Sequence, residues 1–217
     1  TWQMPSGTRS EVFDDEVADL LYRSGCRVLA FAPESGSPEI LRKIKKQVDL
    51  ENLMRAARVV LKRGLKLTCF LVIGFPADRP HTVRQTMRLV RRLAVIGVDD
   101  VVVSKFVPYP GSALFRQLLD DGKIQPRDSF FLADINYYTT KAPSYCDAIS
   151  PKRLYRTMIC MFLNFYFISF VLRPWRVVGT LWSLVTKGVE ETRYAKWLVD
   201  RFLTRRRWHR LEKQQGV

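Results

Sequence analysis

The run KLTCFLVIGFP at residues 66–76 decides how the chain is read. After Lys66 nearly every position through Ile73 is apolar, which predicts a parallel strand covered on both faces. The strand ends at Gly74-Phe75-Pro76, a turn signal. Downstream, Val83, Met87, Val90 and Leu93 recur at helical spacing, giving a helix over His81–Ile96 that stops at Gly97. A second strand follows at Val101–Val107 and closes with Pro108-Tyr109-Pro110-Gly111. Ser112 then caps a short helix that runs to Leu119.

The same alternation extends upstream. Asp49 caps a helix carrying Leu50, Leu53, Ala57, Val60 and Leu61 on one face and ending at Gly64. Before it, Arg27–Ala32 reads as a buried strand that feeds Glu34-Ser35-Gly36-Ser37. Pro38 stands at the first helical position, with Ser37 as N-cap. A helix fits Asp14–Ser24, and Trp2–Met4 reads as a strand remnant followed by a loop over Pro5–Ser10. Strand–helix alternation of this kind predicts an α/β fold with a parallel sheet and crossover helices. A closed eight-fold barrel takes ~250 residues, so about four units over residues 1–125 make an open-edged partial barrel. Chemistry in such sheets gathers at the carboxyl ends of the strands. The loops Pro33–Ser37, Gly74–Asp78 and Pro108–Ser112 all fall at that end.

Each loop has a bland reading beside a functional one. Glu34 can accept hydrogen bonds from a ribose diol or an ammonium, with Gly36 permitting close backbone approach, or it can merely support a helix cap. Gly74-Phe75-Pro76 offers an apolar surface for an adenine ring, or a plain strand-end turn. Tyr109 faces a ligand or covers the core.

Composition narrows the class. With 47% hydrophobic and 12% aromatic residues the chain can bury a core, which excludes disordered and collagen-like classes. The net charge is +15, with a pI near 10.0. It divides unevenly: residues 1–150 carry 22 basic and 17 acidic side chains, and residues 151–217 carry 14 and 4. The four cysteines Cys26, Cys69, Cys146 and Cys160 form no CxxC or other metal-ligand spacing, and read as reduced thiols of a cytoplasmic protein. The two histidines, His81 and His209, add no ligand set, so no metal site is expected from spacing. No signal peptide is visible, and the absence of an initial Met suggests a fragment.

Four strings, PSGTRSE (5–11), APESGSPEILRKIKK (32–46), FLVIGFP (70–76) and FVPYPGSALF (106–115), occur in this order. Together they resemble the second half of a radical S-adenosylmethionine (SAM) core domain. The likeness is greatest to the cobalamin-binding group that includes the anaerobic Mg-protoporphyrin cyclases. That resemblance implies a partial (β/α)₆ barrel in which SAM is reductively cleaved at a [4Fe-4S] cluster. The radical formed starts C–H abstraction, methylation or cyclisation on a small-molecule substrate, lipid-like or tetrapyrrole in some relatives. It also implies that Glu34, Ser35, Gly36 and Ser37 belong to the SAM ribose and methionine wall, and that Gly74, Phe75 and Pro76 back the adenine. Arg9 and Ser104 would face the same cavity, with Tyr109 on the substrate rim. Two departures stand out. The family's GFPGET is here Gly74-Phe75-Pro76-Ala77-Asp78-Arg79, and the family's CxxxCxxC cluster motif is absent. The cluster ligands, and any cobalamin domain, are therefore expected upstream of Thr1. This chain alone is expected neither to hold a cluster nor to turn over SAM.

The last third differs in character. Residues 126–150 read as a connecting region, polar and turn-rich from Asp128, and 151–217 as a basic, aromatic-rich helical extension. Thr157–Leu172 runs sixteen residues without a charge between Lys152, Arg153 and Arg156 before and Arg173 and Arg176 after. A buried helix pair, an interfacial helix and a transmembrane span all fit, although a span wants ~20 apolar residues. Lys196–Lys213 interleaves Arg201, Arg205, Arg206, Arg207 and Arg210 with Trp197, Phe202 and Trp208. It fits a solvated tail, an anionic membrane surface on the inner face, or, less well, nucleic acid. A non-catalytic module held on a membrane or acidic partner by this tail is the rival to the enzyme reading.

Overall fold

Strand β3 (Lys66–Ile73) forms where the apolar run placed it, and pairs in parallel on both sides. The computed structural model describes residues 1–125 and 143–179. Within it, four strands lie in the order β1 (Trp2–Thr8), β2 (Cys26–Glu34), β3 and β4 (Asp100–Lys105), every neighbouring pair parallel. The helices are α1 (Asp15–Arg23), α2 (Pro38–Lys43), α3 (Leu50–Lys62), α4 (Pro80–Ile96), α5 (Ala113–Asp120) and α6 (Pro151–Leu172). The α/β class and the partial-barrel sheet are thus as expected. Side-chain caps start three helices: Asp49 accepts from Asn52 N–H and Ser112 from Phe115 N–H where the sequence placed caps, and Asp14, read as the first helical residue, instead caps α1 by accepting from Val17 N–H.

Two readings need correction. The segment Pro5–Ser10 is not a loop throughout, because β1 continues to Thr8 with register shifts along its pairing to β2. An edge strand tolerates Pro5, which falls in the irregular stretch of the pairing between Met4 and Thr8. Strand β3 is also not equally covered on both faces. Leu67, Cys69, Leu71 and Ile73 are fully buried on the face that receives α3 and α4, whereas Thr68, Phe70 and Val72 are only half-buried. The second face is the concave side of an open sheet, which leaves room for a cleft.

The chain forms two compact units, residues 1–165 and 166–217. In the first, the core joins Leu29, Phe31, Leu67, Leu71, Ile73, Leu53 and Leu93, while Phe115, Leu118, Ile124 and Tyr145 form a satellite cluster. Helix α6 is long and apolar enough to cross a membrane by length and composition alone. Its first half is nevertheless a core helix of this unit: Leu154, Met158, Met161 and Phe165 are buried along one face. Of the second unit, residues 166–179 are described. The basic run Lys196–Lys213 and residues 126–142 of the connecting region lie outside the described residues.

Candidate functional site

The carboxyl ends of β2, β3 and β4 open onto a cleft of about 390 Å³ whose lining includes Glu34, Lys46, Phe75, Ser104, Lys105 and Tyr109. Four of the candidate residues, Glu34, Phe75, Ser104 and Tyr109, therefore meet in one hollow. They arrive from three strand ends and the loops that follow: Glu34 from β2, Phe75 from beyond β3, and Ser104 and Tyr109 from β4 and its loop. Arg9 does not join them. It lines a neighbouring hollow of about 290 Å³ with Thr8, Glu11, Pro33 and Lys45, and Lys46 borders both.

Glu34 closes β2 with φ +65°, a left-handed backbone uncommon for a side chain other than glycine or asparagine. Held there, its Oε1 lies 3.5 Å from Lys46 Nζ. Burial lifts the Glu34 carboxyl above its ordinary 4.5, opposed by the Lys46 ammonium. Lys105, at the end of β4, is buried, and desolvation lowers its ammonium below the usual 10.5. Neither lysine was singled out from sequence. The available signal for Lys105 was a single cation closing the apolar run Val101–Val103, just where the strand meets the rim.

Ser35, Gly36 and Ser37 are positioned otherwise than the cradle reading suggested. All three are buried, and Ser35 and Gly36 lie against α4. Gly36 N–H donates to Thr86 Oγ1 at 3.1 Å, the Ser35 and Thr86 hydroxyls are 3.3 Å apart, and Ser37 N–H donates to Ser35 Oγ at 3.1 Å. A Cβ on Gly36 would meet Gln85 O and Thr86 Cα at 2.7 Å. The close approach that glycine permits is thus to the α4 backbone. Ser37 occupies the N-cap position of α2, but its hydroxyl makes no capping bond and is buried without a partner.

The second loop, Gly74–Asp78, is braced from within. Asp78 is buried, and its Oδ2 accepts from Gly74 N–H at 2.8 Å and Phe75 N–H at 3.0 Å, while Thr82 donates to Oδ1 at 2.6 Å. Burial raises the Asp78 carboxyl above 3.8 against these three donors. Cys146 Sγ donates to Asp78 O at 3.1 Å, so the segment after residue 142 leans on the same turn. Phe75 stacks on Phe106 with ring centroids 5.0 Å apart, giving the cleft an apolar wall. Gly74 has φ +87°, and a Cβ there would strike Leu154 Cδ2 of α6 at 2.4 Å.

The arrangement offers a carboxylate acceptor, two lysines and an aromatic wall at the mouth of a parallel sheet. That combination can accept hydrogen bonds from a polar ligand and cover a flat apolar ring. Residues 5–90 match the Radical SAM superfamily model. It is 28% identical over 171 residues to an uncharacterized methyltransferase of Pyrococcus horikoshii, covering 78% of this chain and 34% of that protein. It is 26% identical over 134 residues to the cytidylyl-2-hydroxyethylphosphonate methyltransferase of Streptomyces wedmorensis, covering 60% of this chain and 25% of that protein. Among solved structures it is similar to the radical S-adenosylmethionine methyltransferase TsrM of Kitasatospora setae, with cobalamin and a [4Fe-4S] cluster bound. The TM-score there is 0.45, at 23% identity, covering 52% of this chain and 22% of that one. The chain spans a third or less of the length of these relatives.

The described residues fit the two expected groups unequally. The cleft suits SAM in size and chemistry, with acceptors for a ribose and an apolar wall for a base. A [4Fe-4S] cluster needs several thiolates. Cys26, Cys69 and Cys146 are buried and Cys160 lies exposed, and burial pushes the Cys69 and Cys146 thiols up. Among the described residues no group of three or more His, Cys, Asp or Glu could hold a metal ion. The cluster does not fit here.

Proposed function

We propose that this chain supplies the SAM-facing wall of a radical SAM enzyme that modifies a small molecule, with methyl transfer the outcome its relatives' names favour. The carrying observation is the convergence of Glu34, Phe75, Ser104 and Tyr109 on one cleft at the strand ends. Bound SAM would supply a 5′-deoxyadenosyl radical source or a methyl group. Glu34 would accept hydrogen bonds from the ribose diol, held in place by Lys46 and its left-handed backbone. Phe75, fixed by Asp78 and Phe106, would support the adenine, and Tyr109, which is exposed, would meet the substrate side. Cluster ligands and any cobalamin would come from other parts of the full protein.

In the intact enzyme, Glu34→Gln should weaken SAM binding about tenfold, because a neutral amide replaces a charged acceptor. Equilibrium titration of SAM, with thermal melting to confirm folding, measures this. Unchanged affinity in a folded variant would remove Glu34 from the cofactor wall.

A further inference from the structure

The described part of the second unit is built with its apolar side outward. Tyr166 and Ser169 are buried, whereas Phe167, Val171, Trp175 and Val178 are 71%, 63%, 65% and 67% exposed. Phe167 and Val171 are one turn apart in α6, and Trp175 and Val178 are one turn apart in the helical residues 175–179, which follow the break at Arg173–Pro174. A surface helix ordinarily turns polar residues to water on that side. Large apolar side chains exposed together mark a contact surface.

Charge identifies what the surface meets. No Asp or Glu occurs from Ala148 to Val189, while Lys152, Arg153, Arg156, Arg173, Arg176 and Lys187 do. Arg173 and Arg176 stand between the exposed apolar positions, half-buried, with Arg176 Nη1 donating to Ser169 Oγ at 3.0 Å. A second copy of the chain would bring the same positive field against itself. A bilayer with anionic headgroups complements both features, taking apolar side chains at the acyl boundary and guanidinium groups at phosphate level. Trp175 suits that boundary, with an apolar ring and one N–H donor.

We propose that Phe167, Val171, Trp175 and Val178 insert into the interface of an anionic bilayer, with Arg173 and Arg176 beside the lipid phosphates. This docking is independent of the reading of the cleft. The test uses the intact protein with two sets of vesicles, phosphatidylcholine alone and phosphatidylcholine mixed with phosphatidylglycerol. Flotation with the mixed vesicles only is expected, weakening as salt rises. Phe167→Ser combined with Trp175→Ser should reduce binding about tenfold or more, from the apolar surface withdrawn from the interface. Should that variant not fold, Trp175→Phe gives a second reading: brominated lipids should quench tryptophan emission in the parent, with quenching measurably reduced in W175F while flotation persists. Absence of flotation with mixed vesicles overturns the proposal. So does equal flotation with both sets, quenching unchanged in W175F, or self-association of the parent that the double substitution abolishes.

Discussion

Gly36→Ala tests whether helix α4 sets the position of the Glu34 loop. The added Cβ would stand 2.7 Å from Gln85 O and Thr86 Cα and 2.9 Å from Leu89 Cβ. Two of those three atoms are helix backbone, so no rotamer change relieves the contact. Either α4 or the loop must shift by about an ångström, toward the usual ~3.5–4.0 Å separation of carbon atoms. Overpacking of this kind costs about 1–3 kcal/mol. The shift also stretches the Gly36–Thr86 and Ser35–Thr86 hydrogen bonds, both buried, at roughly 0.5–1.5 kcal/mol each. Together the loss is about 3 kcal/mol, a large part of the ~5–15 kcal/mol that holds an ordinary domain.

The assay is thermal unfolding of the intact protein followed by circular dichroism, with urea titration as a second measure. For a domain of this size the melting temperature should fall by roughly 6–12 °C. SAM affinity should fall with it when measured below the transition, because Glu34 rides on the displaced loop. A melting temperature within about 2 °C of the parent would show that α4 does not grip this loop. The bracing role given to Thr86 would then be wrong as well.

Two further predictions follow from the same rim. Gly74→Ala should cost about 1–3 kcal/mol from its left-handed φ plus the clash with Leu154; since Leu154 contributes a side-chain tip, Leu154→Ala should relieve only the clash. A double-mutant cycle by urea unfolding measures the coupling, and zero coupling would deny the contact between the turn and α6. The second concerns pH. The folded carboxyl of Glu34 is raised above 4.5, so its favourable contribution is complete below that pH and is lost as pH climbs through the folded value. Glu34→Gln should therefore gain stability relative to the parent as pH rises above about 4.5, and parallel urea midpoints at all pH values would contradict the burial argument.

The sheet was legible because its apolar runs are uninterrupted and its caps are strong. Asp49 and Ser112 accept the N–H groups their positions predict, Asp14 caps the helix that the sequence reading began at that residue, and β3 matches residue for residue. What misled was context. Pro5 and Gly7 read as loop residues, but a Cβ on Gly7 would strike Ala32 Cβ at 2.3 Å, so that glycine serves the tight pairing of an edge strand. Apolar alternates on β3 looked like burial on both faces, yet the concave face of an open sheet also carries Phe70 and Val72. In the site, convergence of the rim loops followed from topology alone. The division within Glu34-Ser35-Gly36-Ser37 did not: one side chain enters the cleft, Ser35 and Gly36 bond to α4 and Ser37 is buried, which depends on the turn at φ +65°. Lys46 and Lys105 went unmarked because lysines at helix and strand ends are ordinarily solvated.

The altered segment after Pro76 gains a physical account from the same geometry. Replacing the family's small glycine and longer acid with Ala77 and Asp78 leaves a carboxylate at the same position of the loop, one methylene shorter. Asp78 turns back to accept both Gly74 and Phe75 N–H groups and receives the Thr82 hydroxyl from the first turn of α4. Two turns' worth of one helix therefore hold two rim loops: Thr82, through Asp78, fixes the one that carries Phe75, and Thr86 fixes the one that carries Glu34. Because both loops are tied to α4 rather than to each other, a displacement of that helix would move the acceptor and the apolar wall of the cleft together. Substitutions along the buried face of α4 should then alter cofactor affinity without touching the cleft, whereas those on its exposed face, such as Arg88, should leave it unchanged.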